Sequence, residues 1–251
     1  MRLLTIPISH FCEKARWALD RAGIAYEEER HVQGVHQLVA WRAGRGTTMP
    51  VLVAGDRVLT QSEQILRYAD EHLPPGRRLF PPDPSERREV EALSRELDEG
   101  LGPDARRLIY VVMFGAKDQM LRYNNQGVPR WEATALRALW PLATRYVARH
   151  LGITDRTREE DERRVRGTFD AIADRLSDGR RHLCGDRFTA ADLTFACLSS
   201  AVVAPPQYGV PLPQPDELPQ EIGDLLRAFR EHPAGAYALE LFRTERAASA
   251  S

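Results

Sequence analysis

The chain is poor in cysteine, in lysine, in net charge and in long apolar runs, and each shortage removes a class of function. Cys12, Cys184 and Cys197 are the three cysteines, widely spaced and without a CxxC pair. Reduced thiols are therefore expected rather than a disulfide framework or a zinc site. Lys+Arg 35 against Asp+Glu 36 leaves a formal net charge of -1, so neither nucleic acid nor an anionic membrane is an expected partner. Lys14 and Lys117 are the only lysines, an arginine bias that suggests a GC-rich bacterial genome and carries little chemistry. The longest apolar stretch, Leu193 to Ala204, is interrupted by Thr194, Ser199 and Ser200 and is shorter than the roughly 20 residues of a membrane span. It reads as a buried helix. Met1-Arg2-Leu3-Leu4 runs directly into an alternating strand pattern without the apolar core and cleavage site of a signal peptide, so a cytoplasmic location is expected.

What is present is enough for a core: 251 residues, 43% hydrophobic and 28% charged, fit one large or two modest globular domains. Arg2 to Ile8 is a short β-branched run. After it, Ser9 opens a stretch with Phe11, Ala15, Ala18, Leu19 and Ala22 near helical spacing, closed by Gly23. Ile24 to Arg30 returns to strand. A polar, glycine-bearing stretch, Gly34 to Thr48, precedes a hairpin signal in which Pro50 to Val53 and Arg57 to Leu59 flank Ala54-Gly55-Asp56. Gln61-Ser62 then begin a helix, with Ser62 as the expected N-cap and Ile65, Leu66, Tyr68 and Ala69 on its apolar side. The order is βαβ followed by ββα.

Pro74-Pro75-Gly76 and Pro81-Pro82-Asp83-Pro84 mark a linker. The expected division is 1–75 for the first domain, 76–85 for the linker and 86–251 for an all-helical C-terminal domain. Helical patterns cover Glu86 to Leu101, Asp104 to Asn125, Trp131 to Leu151, Glu159 to Leu176, Ala190 to Val203, Leu218 to Arg230 and Ala234 to Arg243. Thr189 and Asp192 form a capping-box pattern, with Phe188 and Leu193 as its staple. The proline-rich stretch Ala204 to Pro219 either lines a pocket or covers a helix end. The run Arg156 to Arg166 reads as an exposed, charge-laced helix face, and His31 and His36 lack metal-ligand spacing with either distant cysteine, so no metal is expected.

Ser9-His10-Phe11-Cys12, Met49-Pro50-Val51-Leu52, Gln61-Ser62 with Ile65, and Phe188 through Asp192 occur in the order found in glutathione transferases. On these landmarks the chain resembles the cytosolic-type glutathione S-transferase family, of a bacterial kind and Ser-type by position. The resemblance is strongest over residues 3 to 73 and 183 to 198. It implies a thioredoxin-like N-terminal domain that binds glutathione, an adjoining pocket for a small hydrophobic second substrate, a cis proline at Pro50, and a homodimer. Glutathione would act as co-substrate.

Each implied role has a chemical reason. The glutathione thiol is mostly protonated at neutral pH while its thiolate is the nucleophile, so the site must stabilise negative sulfur. Ser9, at a helix N-terminus, would do so as the catalytic hydroxyl; by itself the residue is equally an N-cap. Pro50 in cis would leave the Met49 backbone to pair with the cysteinyl part of glutathione like an added strand. Gln61 and Ser62 would hold the γ-glutamyl end, with Gln61 standing where many relatives carry an acid. No basic residue directly precedes Met49; Arg42 and Arg45 are the nearest for the glycine carboxylate, and Arg16 and Arg67 read as structural or exposed.

Secondary candidates are His10, Phe11, Cys12 and Arg45. Cys12 takes the second cysteine position of a thioredoxin-type CxxC whose first is Ser9, so dithiol exchange is not available; a small buried hydrophobe is the simpler reading. His10 is expected on an exposed turn. Tyr110, Met113 and Phe114 share a helix face that belongs either to the electrophile pocket or to the core, and Tyr208 has the same two readings. The leading expectation is a glutathione transferase acting on a small hydrophobic electrophile. The alternatives are a non-catalytic binding or scaffold protein of the same fold, and glutathione-dependent thiol exchange through Cys12.

Overall fold

The computed structural model describes residues 1–44, 46–154 and 157–249. Strand β1 (Arg2–Thr5), helix α1 (His10–Arg21), strand β2 (Glu27–Arg30), helix α2 (Val35–Gly44), strands β3 (Val51–Ala54) and β4 (Arg57–Leu59) and helix α3 (Ser62–Glu71) build the N-terminal part. The four strands form one sheet in the order β2-β1-β3-β4. β1 is parallel to β2, and β3 runs antiparallel to both β1 and β4, with Leu4 opposite Val51 and Leu52 opposite Leu59.

Both faces of β1 are covered, which is why Leu3 and Leu4 are consecutive and both buried. Leu3 packs in the main core with Ala15 and Leu19 of α1 and Ile65 and Leu66 of α3. Leu4 joins Cys12, Met49, Val51 and Ala40 of α2 in a second cluster. Gly23 follows α1 with φ +65°, a left-handed conformation that favours glycine after a last helical turn. The expected βαβ-ββα order is present, with α2 added inside the polar, glycine-bearing stretch. Ser62 is the first residue of α3, and Gln61, in extended conformation, takes the cap position expected for Ser62.

The C-terminal part is helical: α4 (Pro84–Glu99), α5 (Leu101–Met113), α6 (Lys117–Asn124), α7 (Arg130–Ala138), α8 (Trp140–Leu151), α9 (Thr157–Leu176), α10 (Ala190–Val203), α11 (Gln220–Glu231) and α12 (Pro233–Leu241). The single helix expected over Asp104 to Asn125 is divided at Phe114-Gly115-Ala116, and that expected over Trp131 to Leu151 is divided at Leu139. In α10 every residue but Ala201 is buried, as befits a helix apolar on all sides and surrounded by others. Its start is fixed as the pattern predicts: the Asp192 carboxylate accepts from the Thr189 amide at 2.7 Å and from the Thr189 hydroxyl at 2.7 Å. It also accepts from the Leu183 amide and the Tyr237 hydroxyl. Among the described residues no helix is long and apolar enough to cross a membrane.

A buried ionic cluster joins the two parts. Glu13 on α1 accepts from Arg16 at 3.2 Å and from Arg246 near the C-terminus at 2.8 Å. Arg16 also donates to Glu28 and to the Pro7 carbonyl. Arg16 is thus structural. Lys14, fully buried, pairs with Asp98 of α4 at 2.7 Å.

Candidate functional site

The strand directions bring the separated motifs together. β1 and β4 both run antiparallel to β3, so the end of β1, the start of β3 and the end of β4 lie at one edge of the sheet. Ser9 before α1, the Met49-Pro50 pair before β3, and Gln61-Ser62 at the start of α3 therefore occupy one edge, with two helix N-termini there. Free amide groups and the positive ends of two helix dipoles make this edge favourable for anions. The Met49-Pro50 peptide bond is cis.

Ser9 caps α1: its Oγ accepts from the Cys12 amide at 3.4 Å. Because the oxygen is the acceptor in this bond, the hydroxyl proton can turn toward the Cys12 sulfur or toward a ligand in the cleft. Ser9 lies on a cleft of about 250 Å³ between the sheet edge and the helical part, together with Phe11, Met49, Tyr110 and Met113. Ala204, Leu212, Pro213 and Leu218 also line it, so the proline-rich stretch contributes to a wall. Gln61, Ser62 and Pro50 are outside the lining of this cleft; Ser62 and Pro50 are buried and Gln61 is exposed. Arg45 lies outside the described residues, and Arg42 is exposed.

One expectation needs correction, and two open readings are decided. His10 is buried rather than exposed, because α5 packs over the start of α1 so closely that a Cβ on Gly102 would lie 2.5 Å from the Phe11 ring. Burial first, and the charge of Arg106 second, lower the His10 pKa to about 3, so it is neutral. Tyr208 is buried beside Phe242, at 6.3 Å between ring centroids, and does not line the cleft. Phe114 also lies off the cleft, in a small adjoining hollow. Cys12 is fully buried; burial pushes its thiol pKa up, against Arg16 and the Ser9 hydroxyl, and its Sγ accepts from the Ile6 amide at 3.4 Å.

Gln33 and Arg106, which stand in none of the sequence motifs, complete the polar side of the cleft. The Gln33 side chain donates to the Tyr110 hydroxyl at 2.9 Å and to Asn124 Oδ1 at 2.7 Å. The Tyr110 oxygen is therefore an acceptor there, and its own proton is left for a ligand; burial raises its pKa, so that proton stays on. Arg106 precedes Tyr110 by four residues, one helical turn on the same face, which is the signal that marks it. Across the mouth, the Tyr146 hydroxyl of α8 donates to Gln37 of α2 at 2.8 Å. His31 pairs with Glu132 at 2.9 Å, a link between the two parts rather than a ligand set. No metal-binding group of His, Cys, Asp or Glu occurs among the described residues.

A four-stranded sheet with helices, an all-helical second part and a cleft between them define a glutathione S-transferase-like fold. Residues 3–77 match the glutathione S-transferase N-terminal domain family and residues 155–219 match its C-terminal domain family. The chain belongs to the glutathione S-transferase family. It superimposes on glutathione transferase F7 from Populus trichocarpa with a TM-score of 0.64 at 13% identity, covering 100% of this chain and 99% of that one. A glutathione S-transferase from Methylobacillus flagellatus KT, with glutathione bound, gives 0.62 at 17% identity, with 99% and 98% covered. The β-etherase LigF from Sphingobium sp. strain SYK-6 gives 0.61 at 18%, with 95% and 98% covered. At these identities the likeness establishes the fold. No curated protein matches the chain in sequence.

Proposed function

We propose that this protein is a glutathione transferase in which Ser9 stabilises the glutathione thiolate for attack on a small, largely apolar electrophile. The observation that carries the reading is the position of Ser9, at the N-terminus of α1 and on the cleft lined by Tyr110 and Met113. Glutathione lies along the sheet edge, with Met49 and Pro50 beside its cysteinyl part and the α3 N-terminus at Gln61 and Ser62 receiving the γ-glutamyl carboxylate. The thiol proton passes to solvent, the sulfur lone pair forms a carbon–sulfur bond, and the displaced group leaves with its bonding electrons. Lowering a thiol pKa by one unit takes about 1.4 kcal/mol, within reach of one hydroxyl donor and a helix terminus together.

In this reading residues 1–75 are the glutathione-binding domain and 86–251 the helical domain, joined by 76–85, and the protein works as a homodimer in the cytoplasm. Glutathione-dependent thiol exchange through Cys12 is disfavoured by that thiol's burial and raised pKa. A scaffold of the same fold would not need glutathione. Calorimetric titration with reduced glutathione at neutral pH separates the two: saturable binding, weakened by Ser62→Ala, supports the transferase. Folded protein that does not bind millimolar glutathione would be the scaffold.

A further inference from the structure

Arg106 stands on the wall of the cleft without an ionic partner. Among the described residues no carboxylate pairs with it, its Nε is buried without a hydrogen bond, and no Asp or Glu lines the cleft. This is unusual in a chain where Arg16, Arg107 and Arg246 each hold buried or half-buried carboxylates at 3.2 Å or less. Its neighbours offer little compensation: the Phe11 ring, whose centroid is 6.0 Å from Cζ, and His10, which is neutral. Burial lowers the Arg106 pKa, Tyr110 opposes it and the neighbouring Arg107 charge adds to it, yet a guanidinium remains protonated at any ordinary pH. Arg106 as a whole is half-buried, and a half-buried cation without a partner is costly to a fold unless something returns the cost on binding.

We infer that the second substrate of this cleft is an organic anion, an apolar body bearing a carboxylate or sulfonate, and that Arg106 is the specificity-determining residue that pairs with it. The apolar faces of Met113, Ile109 and Leu226 take the body of the molecule. The Tyr110 hydroxyl, whose oxygen is occupied by Gln33, is placed to donate to the same anionic group. The absence of any acid from the lining is what such a ligand requires, because a like charge in a half-enclosed cleft would oppose it. This inference rests on the transferase reading for its word substrate, but the recognition itself needs no glutathione and can be tested without it.

The test compares two fluorescent probes of nearly the same shape, anionic anilinonaphthalene sulfonate and neutral N-phenylnaphthylamine, titrated into the glutathione-free protein. The wild type should bind the anion more tightly than the neutral probe. Arg106→Met should weaken the anion by about tenfold or more, the size expected for a lost charge-assisted hydrogen bond, while leaving the neutral probe within about twofold. Arg106→Lys should keep most of the anion preference, and unchanged neutral binding certifies that each variant is folded. Equal loss of both probes, or no loss of the anion in Arg106→Met, would overturn the assignment. So would a fall in calorimetric glutathione affinity in Arg106→Met, because the cation would then serve glutathione. Failure of the transferase reading alone would appear differently, as anion recognition without glutathione binding.

Discussion

Arg246 reaches back across the molecule to donate from Nε to Glu13 Oε1 at 2.8 Å, and both side chains are nearly or wholly buried. The pair ties the last turns of the chain to the helix that Ser9 caps. Burial disfavours the Arg246 charge, and Glu13 and Asp20 outweigh it, so its pKa is raised. Arg246→Ala leaves Glu13 with Arg16 alone and should cost about 3 kcal/mol of stability. Urea unfolding checks this, with Arg243→Ala as the control: Arg243 pairs with Glu240 in the open, and its loss should leave the midpoint unchanged. Equal effects from the two variants would remove the buried cluster from the account.

His10 predicts a pH dependence of stability. It titrates at about 3 when folded, against an ordinary value of 6.5. Below pH 6.5 the unfolded chain takes up a proton that the folded one refuses, so stability present above that value is lost as pH falls toward 3. Between pH 7 and 5, where most carboxylates stay ionised, the loss due to this group should be about 2 kcal/mol. His10→Asn should lose correspondingly less over the same interval by denaturant unfolding. Parallel curves for wild type and variant would show that the imidazole accepts its proton in the fold.

The capping box at Thr189 and Asp192 was legible in the sequence because four consecutive residues determine it, and the structure forms both bonds to the carboxylate. The order of elements along the chain, βαβ then ββα, followed from local turn signals around Gly23 and Gly55. Helix α2 was not legible: of Val35–Gly44 only Ala40 is buried, so no apolar stripe marks the helix. The burial of His10 depends on Gly102, 92 positions later in the sequence, and no local pattern carries that. For the same reason the candidate residues at the sheet edge were found from motifs, whereas Arg106 and Gln33 emerged only when α5 and the loop before α2 came together.

Cys12 separates nucleophilic activation of glutathione from exchange at a protein thiol. Its sulfur is fully buried and accepts one amide bond, which a serine oxygen can also accept. Cys12→Ser should keep conjugating activity within about threefold, since the change removes no group from the cleft. A steady-state assay with an electrophilic aryl halide checks it. Activity lost in Cys12→Ser but kept in Ser9→Ala would transfer the chemistry to the cysteine.

Ser9→Ala should lower kcat/KM by about 10- to 100-fold, the value of one hydrogen bond to a charged sulfur, with little change in glutathione affinity. The loss should be largest at low pH, where the thiol depends most on stabilisation, and should shrink as pH rises past the pKa of a free thiol, near 8.5.

The central claim is that Ser9 favours the thiolate over the thiol, and the ultraviolet absorbance of the bound thiolate reads it directly. Titrating the glutathione complex against pH should place the thiol midpoint about one unit or more below that of free glutathione in the wild type, and move it back up in Ser9→Ala. The same midpoint in both proteins would contradict the claim, whatever the fold.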